Sequence, residues 1–339
     1  MVGKIPPKIM EKLVYTKTGS KDPSVLVGPA TGEDAAIVDL GDGKALVVHN
    51  DAITSACKSL GWLAVHIVAN DIAVRGARPR WFLMSLFLPE NAPEKTLSEV
   101  MDQVDRAAKD LGIMVIGGHT ESTPGLDRPI VGTTAIGIAD LEKIVTTSGA
   151  KTNDYIIMTK TAAIEGTAIL CTDFAEILKN RGLDYSTVEE GSKFLARISV
   201  VKEALALADN RLTTAMHDPT EGGILGGVAE LAYASRKTIK LYADKIPIAK
   251  ETKLATEALG VDALKLISSG ALVAAIPPEK LNRSLEVLQK IGVEASVIGR
   301  VGDFTGHLVE VIKNSSIEYV DEVYIADELY RLWEKTTIR

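Results

Sequence analysis

One helix-like segment carries a carboxylate on its apolar face. Residues 60–79, LGWLAVHIVANDIAVRGARP, have apolar side chains at steps of three and four residues, which is typical of a helix packed on a core. The stripe is formed by Leu60, Leu63, Ala64, Ile67, Val68 and Val74. Asp71 falls on the same stripe, and a carboxylate facing a core is unfavourable unless something positive or hydrogen-bonding meets it. The side chain of Asp71 is expected either to bind a metal ion or to make a local contact. The local alternatives are a salt bridge to Arg75 and a cap of the Gly76 turn.

Composition restricts the kinds of partner that the chain can bind. The 339 residues carry a formal net charge of -7, and aromatic residues make up 5% of them. Nucleic-acid surfaces are usually basic with interleaved aromatics, so we expect no nucleic-acid partner. An acidic protein that binds phosphates is expected to do so through metal ions or backbone amides.

Strand-like and helix-like segments alternate along the chain, which indicates a mixed α/β fold. The pattern loosens near residues 141–151, and the sequence therefore predicts two α/β domains, residues 1–148 and 149–339. Strands are predicted at residues 81–88, 130–138, 155–159, 271–276 and 296–301, with a further strand ending at Asn50-Asp51. Helices are predicted at residues 94–111, 166–178, 194–208, 225–234 and 278–291.

The two cysteines, Cys57 and Cys171, are far apart and have no CxxC spacing, so neither a disulfide framework nor a zinc site is expected. Both are interpreted as small buried or surface residues. The sequence has no long apolar run, and its first residues do not resemble a leader. We expect a cytoplasmic protein with no membrane partner.

Three aspartates occupy similar settings beside apolar runs: Asp34 in GEDAA, Asp51 in HNDA and Asp71 in ANDIA. Magnesium prefers a few carboxylate oxygens, with water and phosphate oxygens in its remaining positions. Three aspartates from separate elements form such a site if they converge. For each aspartate alone, a turn or capping residue is the favoured explanation, and only the set of three points to a metal site.

Two glycine-containing motifs could approach a ligand. A strand that begins at Ile113 is predicted to break at Gly117-Gly118 and to place His119, Thr120 and Glu121 at its end. The segment HDPTEGG, residues 217–223, combines Asp218 with a proline turn and the start of a helix, where unpaired amides suit a phosphate. The alternatives are an ordinary glycine turn and an ordinary capped helix. His119 and His217 are also each compatible with a polar turn residue without a chemical role.

Several common catalytic motifs are missing from the sequence. It has no GxxxxGK[ST] loop and no GxGxxG after a strand. It has no GxSxG elbow either, and neither cysteine lies beside a plausible histidine partner. Phosphate binding would therefore use another arrangement.

The motifs GEDAA, HNDA, NDIAVRGARP, GGHTE and HDPTEGG occur in an order and at intervals that closely resemble the AIR synthase superfamily. Its members include aminoimidazole ribonucleotide synthase, selenophosphate synthetase, thiamine-monophosphate kinase and the hydrogenase maturation protein HypE. The resemblance spans nearly the whole chain. It implies an N-terminal α/β domain that dimerises through a shared β-barrel and a C-terminal α/β domain, with ATP and Mg²⁺ in the cleft between them.

The resemblance also implies roles for particular residues. The metal-binding aspartates would be Asp34, Asp51, Asp71 and Asp218, and the catalytic residues would be Asp71, His119 and Asp218. The nucleotide would contact Asn70, Gly117, Gly118, His119, Thr120, Glu121, Thr220, Gly222 and Gly223. Catalysis would then consist mainly of positioning and charge neutralisation, as is usual for phosphoryl transfer.

Within the superfamily the chain is most similar to the HypE branch. HypE carries a reactive cysteine at its C-terminal end, whereas the last hundred residues here contain none, so its reaction is not expected to run in the same way. The N-terminal cysteine or selenocysteine and following lysine of selenophosphate synthetase are missing too. The resemblance predicts a homodimer that uses Mg²⁺ and ATP to phosphorylate a small molecule. The alternatives are an enzyme like thiamine-monophosphate kinase or AIR synthase, and a non-catalytic nucleotide-binding partner in hydrogenase maturation.

Overall fold

The computed structural model describes residues 3–54 and 58–335, which form two compact units. The N-terminal unit contains residues 23–28 and 34–144, and the C-terminal unit contains residues 3–22, 29–33 and 145–335. The predicted division after residue 148 lies four residues later along the chain. It also placed the first segment in the N-terminal domain, whereas in the structure residues 3–22 and 29–33 belong with the C-terminal unit.

The N-terminal unit is a six-stranded sheet with two helices. Its elements are β1 (Val25–Val27), β2 (Ala36–Gly41), β3 (Lys44–Ile53), α2 (Leu60–Ala73), β4 (Arg78–Pro89), α3 (Glu94–Leu111), β5 (Met114–Thr123) and β6 (Ile130–Asp140). The strand order is β1-β2-β3-β6-β4-β5; β4 and β5 are parallel and the other neighbours antiparallel. Strand β5 is therefore an edge.

Helix α2 is buried between this sheet and α3. Every residue of α2 except Trp62 is buried. The buried surface of the helix is therefore wider than the single apolar stripe that the sequence predicted. Two glycines permit the close approach. A Cβ on Gly61 would lie 2.2 Å from the Val100 carbonyl oxygen of α3, and a Cβ on Gly137 of β6 would lie 2.5 Å from Ile72 Cγ2.

The C-terminal unit is built on a seven-stranded sheet. Its helices are α1 (Pro7–Leu13), α4 (Ile164–Asp173), α5 (Ala175–Asn180), α6 (Tyr185–Ser192), α7 (Val201–Asp209), α8 (Gly223–Ser235), α9 (Lys250–Leu259), α10 (Leu281–Lys290) and α11 (Glu328–Lys335). Its strands are β7 (Tyr155–Thr159), β8 (Ala215–His217), β9 (Thr238–Tyr242), β10 (Val273–Ile276), β11 (Ala295–Gly302), β12 (Val309–Lys313) and β13 (Ser316–Val320). The order is β13-β12-β9-β11-β7-β10-β8, and β12 and β9 are its parallel pair.

The first residues of the chain are tied to the C-terminal unit by polar contacts. The Glu11 carboxylate accepts hydrogen bonds from Thr31 Oγ1 at 2.7 Å and from Tyr233 Oη at 2.9 Å. The Glu33 carboxylate accepts from the backbone amides of Thr147 at 3.1 Å and Ser148 at 3.0 Å. These contacts explain why short early segments fold with residues that follow them by more than a hundred positions.

Most predicted elements are present, with three revisions, one of which is that residues 278–291, predicted as one helix, form a 3₁₀ turn at residues 278–280 followed by α10. Residues 166–178 were predicted as one helix, but α4 ends at Asp173 and α5 begins at Ala175. Residues 194–208 were predicted as one helix, but residues 193–197 form a 3₁₀ turn and α7 begins at Val201. In the described part of the chain, no helix is both long enough and apolar enough to span a bilayer. Cys171 is a free, buried thiol, and Cys57 lies outside the described residues.

Candidate functional site

Strand β3 directs two side chains toward helix α2. One of them, Asp51, was predicted as a site residue, and the other, His49, was not. Alternate residues of a strand share a face, and on β3 one face carries Ala45 and Val47, both fully buried. The next two positions on this face are His49 and Asp51. Asn50, which lies between them, points the other way and donates to the Thr133 carbonyl oxygen at 2.8 Å. The strand continues to Ile53, past its predicted end.

Asp71 reaches this face from the last turn of α2. The helix ends at Ala73, so Asp71 lies near the end where unpaired carbonyls create a negative potential. Its side chain is 9% exposed. Both the helix end and burial disfavour a carboxylate without positive charge nearby. Asn70, the preceding residue, is fully buried.

His49, Asp51 and Asp71 form one cluster within the N-terminal unit. Their potential ligand atoms all lie within 4.8 Å of one another. The Nε2 atom of His49 is 3.7 Å from Oδ2 of Asp71, and the His49 side chain is 28% exposed. The structure thus brings together two of the four predicted metal aspartates and adds an imidazole that the sequence reasoning missed. Its position two residues before Asp51 on the same strand face was the available signal.

The cluster offers both oxygen and nitrogen donors. Magnesium prefers oxygen ligands, so the carboxylates of Asp51 and Asp71 suit it. The imidazole of His49 does not, because it is a typical ligand of first-row transition metals. The donor set therefore fits a divalent cation, with the two carboxylates as the ligands that would suit Mg²⁺.

Asp34 makes a different contact within the same unit. Its Oδ2 atom accepts a hydrogen bond from Arg75 at 2.8 Å, and the side chains are 7% and 0% exposed, respectively. Arg75, which the sequence offers as a salt-bridge partner of Asp71, places its guanidinium against Asp34. One buried positive charge therefore already faces this predicted metal ligand.

The GGHTE motif lies inside a strand, not in a turn. Residues 117–121 are part of β5, which continues to Thr123, so the predicted strand break was wrong. The reason is that β5 pairs in parallel with β4 along this whole segment. Gly118, with φ 152°, is required there because a Cβ would lie 2.0 Å from the Met84 carbonyl oxygen.

His119 and Glu121 project from the same face of β5 and contact each other. A carboxylate oxygen of Glu121 lies 2.9 Å from His119 Nε2, and Thr123 Oγ1 donates to the other at 3.0 Å. The hydrogen bond with His119 lowers the pKa of the Glu121 carboxyl group most, and the hydrogen bond from Thr123 lowers it further. Both side chains are exposed, as is Thr120. Their nucleotide role stays a prediction.

The HDPTEGG segment connects β8 to α8 in the C-terminal unit. Asp218 is 1% exposed, and His217 Nε2 lies 2.8 Å from a carboxylate oxygen of Glu230. The proline was predicted near the first helical turn, but α8 begins at Gly223, and the capping residue is Gly222. Gly222 and Gly223 have φ of 83° and 66°, a left-handed conformation that favours glycine.

Other residues of the C-terminal unit hold this segment in place. The Asp327 carboxylate accepts hydrogen bonds from the Gly222 amide at 2.7 Å and the Leu329 amide at 2.8 Å. Burial raises the pKa of Asp327 to about 7. Lys4 Nζ donates to Thr220 Oγ1 at 2.9 Å and lies 3.1 Å from a Glu221 oxygen. No local pattern pointed to Lys4 or Asp327, because both are distant from this segment along the chain.

A depression of about 560 Å³ in the C-terminal unit contains none of the predicted site residues. Lys160, Arg197, Lys202 and Glu203 contribute to its lining. The Lys160 ammonium lies 2.7 Å from a Glu203 oxygen and donates to the Ser199 carbonyl at 2.7 Å. These contacts give Lys160 a structural role.

Comparison with known proteins identifies the family. Residues 32–139 match the family "AIR synthase related protein, N-terminal domain", and residues 151–311 match "AIR synthase related protein, C-terminal domain". The chain belongs to the AIR synthase related family, as the five motifs predicted.

Curated relatives favour the HypE branch within this family. A putative hydrogenase expression/formation protein of Methanocaldococcus jannaschii is 30% identical over 299 residues, which is 84% of each chain. The carbamoyl dehydratase HypE of Rhizobium leguminosarum bv. viciae is 28% identical over 258 residues, covering 75% of this chain and 71% of that protein.

Solved structures have the same fold. A chain of a crystal structure of the HypE–HypF complex gives a TM-score of 0.75 at 23% identity, covering 93% of this chain and 99% of that one. The hydrogenase maturation protein HypE in complex with ATP gives a TM-score of 0.72 at 21% identity, with 96% of both chains covered. The two-domain AIR-synthase-like fold is therefore confirmed.

Proposed function

We propose that this protein uses ATP, with a divalent cation, to transfer a phosphoryl group to an oxygen atom of a small acceptor molecule. The proposal rests on one observation. Asp51 and Asp71 come from separate elements of the N-terminal unit, and their carboxylates lie in one cluster. An acidic protein, here of net charge -7, is expected to hold a triphosphate through a metal ion or backbone amides. The solved HypE structure with ATP supports the choice of nucleotide.

The residues of the N-terminal unit would fix the cation and its surroundings. Asp51 is anchored on a long strand, and Asp71 on a helix that is buried on nearly all sides, so neither carboxylate has to be ordered when ligand binds. When bound, Mg²⁺ at these aspartates would neutralise charge on phosphate oxygens. Asp34, whose carboxylate faces Arg75, is proposed as a further member of the magnesium set on the resemblance alone.

Residues of the C-terminal unit are proposed to serve the nucleotide phosphates. Gly222 and Gly223 have left-handed backbone, but the amides of Gly222, Gly223 and Leu225 already donate to Asp327, the Thr220 carbonyl and the Leu264 carbonyl, so a phosphate role for this helix start is proposed on the resemblance. Thr220 contributes a hydroxyl, and Asp218 is proposed as the aspartate that this unit adds. These assignments, like those of Asn70, His119 and Gly117 to Glu121, rest on the resemblance.

The relatives suggest which acceptor to test first. The Rhizobium relative is named a carbamoyl dehydratase, and removal of water from an amide requires activation of its oxygen. Phosphorylation turns that oxygen into a leaving group, so a carboxamide or carbamoyl compound is the first acceptor class. A hydroxyl or phosphate acceptor, as in a thiamine-monophosphate-kinase-like enzyme, or an AIR-synthase-like cyclisation, is the alternative.

The experiment is to measure ADP release from Mg²⁺-ATP by the full-length protein with acceptor classes added one at a time. The proposal predicts release that saturates with one class and is lost in Asp71→Asn. The control is Asp110→Asn, which changes an exposed aspartate of α3. ATP consumption that is equal in wild type and Asp71→Asn would contradict the proposal.

A non-catalytic role in hydrogenase maturation is the second candidate. The Methanocaldococcus relative is named a hydrogenase expression/formation protein, and one solved HypE is in complex with HypF. Nucleotide-dependent recovery of a maturation protein from a cell extract, with no ADP formed with any acceptor class, would favour this role over phosphoryl transfer.

We also propose that the N-terminal unit forms a homodimer through a shared barrel. One face of its sheet is covered by α2, whereas the other carries half-buried apolar side chains: Val38, Leu46, Val48, Trp81, Leu83, Phe87, Ile136 and Ile138. The adjoining edge strand β5 exposes Met114 at 66% and Ile116 at 48%. Long apolar edges of this kind favour pairing with another strand.

Light scattering tests the dimer. The wild type should have twice the mass of one chain, and Ile116→Lys should lower it toward that of a monomer. Met101→Lys, at an exposed apolar position on α3, is the matched control and should leave the mass unchanged. A monomeric wild type would remove this proposal without affecting nucleotide binding within one chain.

A further inference from the structure

We propose that one face of the C-terminal sheet is a docking surface for a partner protein, and that an acidic amphipathic helix of this partner occupies it. This open face belongs to five neighbouring strands, β13, β12, β9, β11 and β7. It consists of the residues Tyr155, Lys240, Tyr242, Arg300, Glu310, Ile312, Ile317 and Tyr319. None of them belongs to the proposed nucleotide site, so the inference does not rest on phosphoryl transfer.

Strand register places these side chains on one face, because paired residues of neighbouring strands point the same way. The pairs are Ile317 with Ile312, Tyr319 with Glu310, Ile312 with Tyr242, Glu310 with Lys240, Lys240 with Arg300, and Arg300 with Tyr155. The opposite face of these strands carries fully buried residues, among them Ile239, Leu241 and Val309. Every residue of the open face is half-buried or exposed instead.

A helix of the protein itself covers the neighbouring part of this face. Thr159 lies on the same face of β7 as Tyr155, and its hydroxyl donates to a Glu203 oxygen of α7 at 3.4 Å. On β13 the apolar side chains of Ile317 and Tyr319 are still 51% and 52% exposed. A further helix beside α7 would continue the layer and bury them.

The open face has room for such a helix. Four strand spacings of about 4.8 Å make it about 19 Å wide, and a helix with its side chains is about 10–12 Å across. Tyrosine and arginine side chains, which the face provides, are enriched among the residues that dominate binding at protein interfaces.

The charges on the face select an acidic occupant. The Arg300 guanidinium lies 4.6 Å from the centroid of the Tyr155 ring and donates to the Tyr155 hydroxyl at 3.3 Å. The Lys245 ammonium lies 4.9 Å from the centroid of the Tyr242 ring. Among the described residues, no carboxylate forms an ion pair with either cation. Carboxylates of the partner would therefore complement both.

The same cations argue against a second copy as the occupant. In a two-fold contact each copy presents the same patch to the other. Arg300 and Lys245 would then face their own equivalents, and like charges at an interface are unfavourable. The occupant is therefore assigned to a different protein.

Photocrosslinking tests the inference with the full chain, in the cells from which the protein comes. Benzoylphenylalanine is placed at position 319 in one variant and at position 185 in the control, because Tyr185 is an exposed tyrosine of α6. We expect position 319 to crosslink to a segment with helical periodicity and acidic residues beside its apolar ones. Crosslinking to a second copy or a basic segment, no product, or equal products from both positions would overturn the inference.

A synthetic peptide with the sequence of the crosslinked segment gives the affinity by fluorescence anisotropy. Tyr319→Ser should weaken binding by at least about tenfold, as truncation of a central interface tyrosine does. Arg300→Gln should also weaken it and reduce its salt dependence. Equal affinity of the peptide for wild type and Tyr319→Ser would overturn the inference.

The matched controls are Tyr185→Ser and Arg283→Gln, which change exposed residues of α6 and α10 and should leave the affinity unchanged. Urea unfolding of each variant shows that it is folded. ADP release from Mg²⁺-ATP should be equal in wild type and Tyr319→Ser, because the open face lies outside the proposed nucleotide site. Absence of ADP release with peptide binding as expected would overturn only the proposed function.

Discussion

The guanidinium of Arg75 donates a 2.8 Å hydrogen bond to the carboxylate of Asp34, with both side chains buried in the N-terminal unit. The two residues are 41 positions apart, so the pair connects the start of β2 to the turn after α2. It also sets the charge around a predicted metal ligand.

Removal of Arg75 should therefore destabilise the protein strongly. Arg75→Met leaves the Asp34 carboxylate buried without its guanidinium, and breaking a buried pair in this way typically costs about 3–5 kcal/mol. Urea unfolding measures the change. Lys109→Ala, which breaks an exposed pair with Asp105, is the control and should cost less than about 1 kcal/mol. A similar small effect for Arg75→Met would contradict the structural role of the pair.

Gly137 should tolerate no side chain, although another glycine of the same strand does. A Cβ on Gly137 would lie 2.5 Å from Ile72 Cγ2 and 2.7 Å from the Arg78 carbonyl oxygen, whereas one on Gly132 meets nothing within 4 Å. Gly137→Ala should lower the free energy of unfolding by about 1–3 kcal/mol through overpacking. It should also weaken metal binding, because it displaces the helix turn that carries Asp71.

Gly132→Ala is the matched control on β6 and should change the free energy of unfolding by less than about 1 kcal/mol. Thermal or urea unfolding of both variants decides the question. Equal effects at the two positions would show that α2 does not depend on the close approach at Gly137.

Asp327 should make stability depend on pH. Burial raises its pKa from 3.8 to about 7 in the folded protein, despite hydrogen bonds from the Leu329 and Gly222 amides. The folded state therefore binds the proton more tightly than the unfolded state. The resulting stability is fully present below about pH 3.8 and is lost as pH rises through about 7.

Asp327→Asn lacks this titration and is the variant to compare. Relative to it, the wild type should lose up to about 4 kcal/mol of unfolding free energy between pH 4 and pH 8, at 1.36 kcal/mol per pKa unit. Denaturant unfolding at both pH values gives the difference. Asp303→Asn, at an exposed carboxylate whose pKa is lowered by its Thr152 hydrogen bond, should show a dependence of opposite sign. If the difference in unfolding free energy between the wild type and Asp327→Asn were the same at both pH values, the prediction would be contradicted.

Cys171 should be inert to thiol reagents in the folded protein. Burial raises its pKa to about 12, and it packs in the core formed by α4 and its neighbours. In a Cys57→Ser background, where Cys171 is the remaining cysteine, Ellman's reagent at pH 8 should react only after denaturant is added. Rapid labelling of the native variant would show that this helix opens readily.

Sequence reasoning succeeded where local pattern and tertiary structure agree. The periodicity of α3 gave its bounds, Glu94 and Leu111, and the apolar run of β7 gave Tyr155 and Thr159. It failed where contacts over long range decide. The glycines of GGHTE lie in a strand because β4 pairs alongside them, and no local signal in the motif reports that partner.

The site shows the same limit. Asp71 was identified because a carboxylate on an apolar stripe violates a local rule. His49 was not, since a histidine on a strand becomes informative only when the helix opposite it is known. The pairing of Arg75 with Asp34 joins residues 41 positions apart, and spacing alone cannot distinguish it from a pairing with Asp71.

Calorimetric titration of the full-length protein with Mg²⁺ and a non-hydrolysable ATP analogue tests the central claim most directly. We expect saturable binding to the wild type and to Asp110→Asn, and its loss in Asp71→Asn and in Asp218→Asn. Unchanged affinity in both of the latter variants would contradict the nucleotide site proposed for this protein.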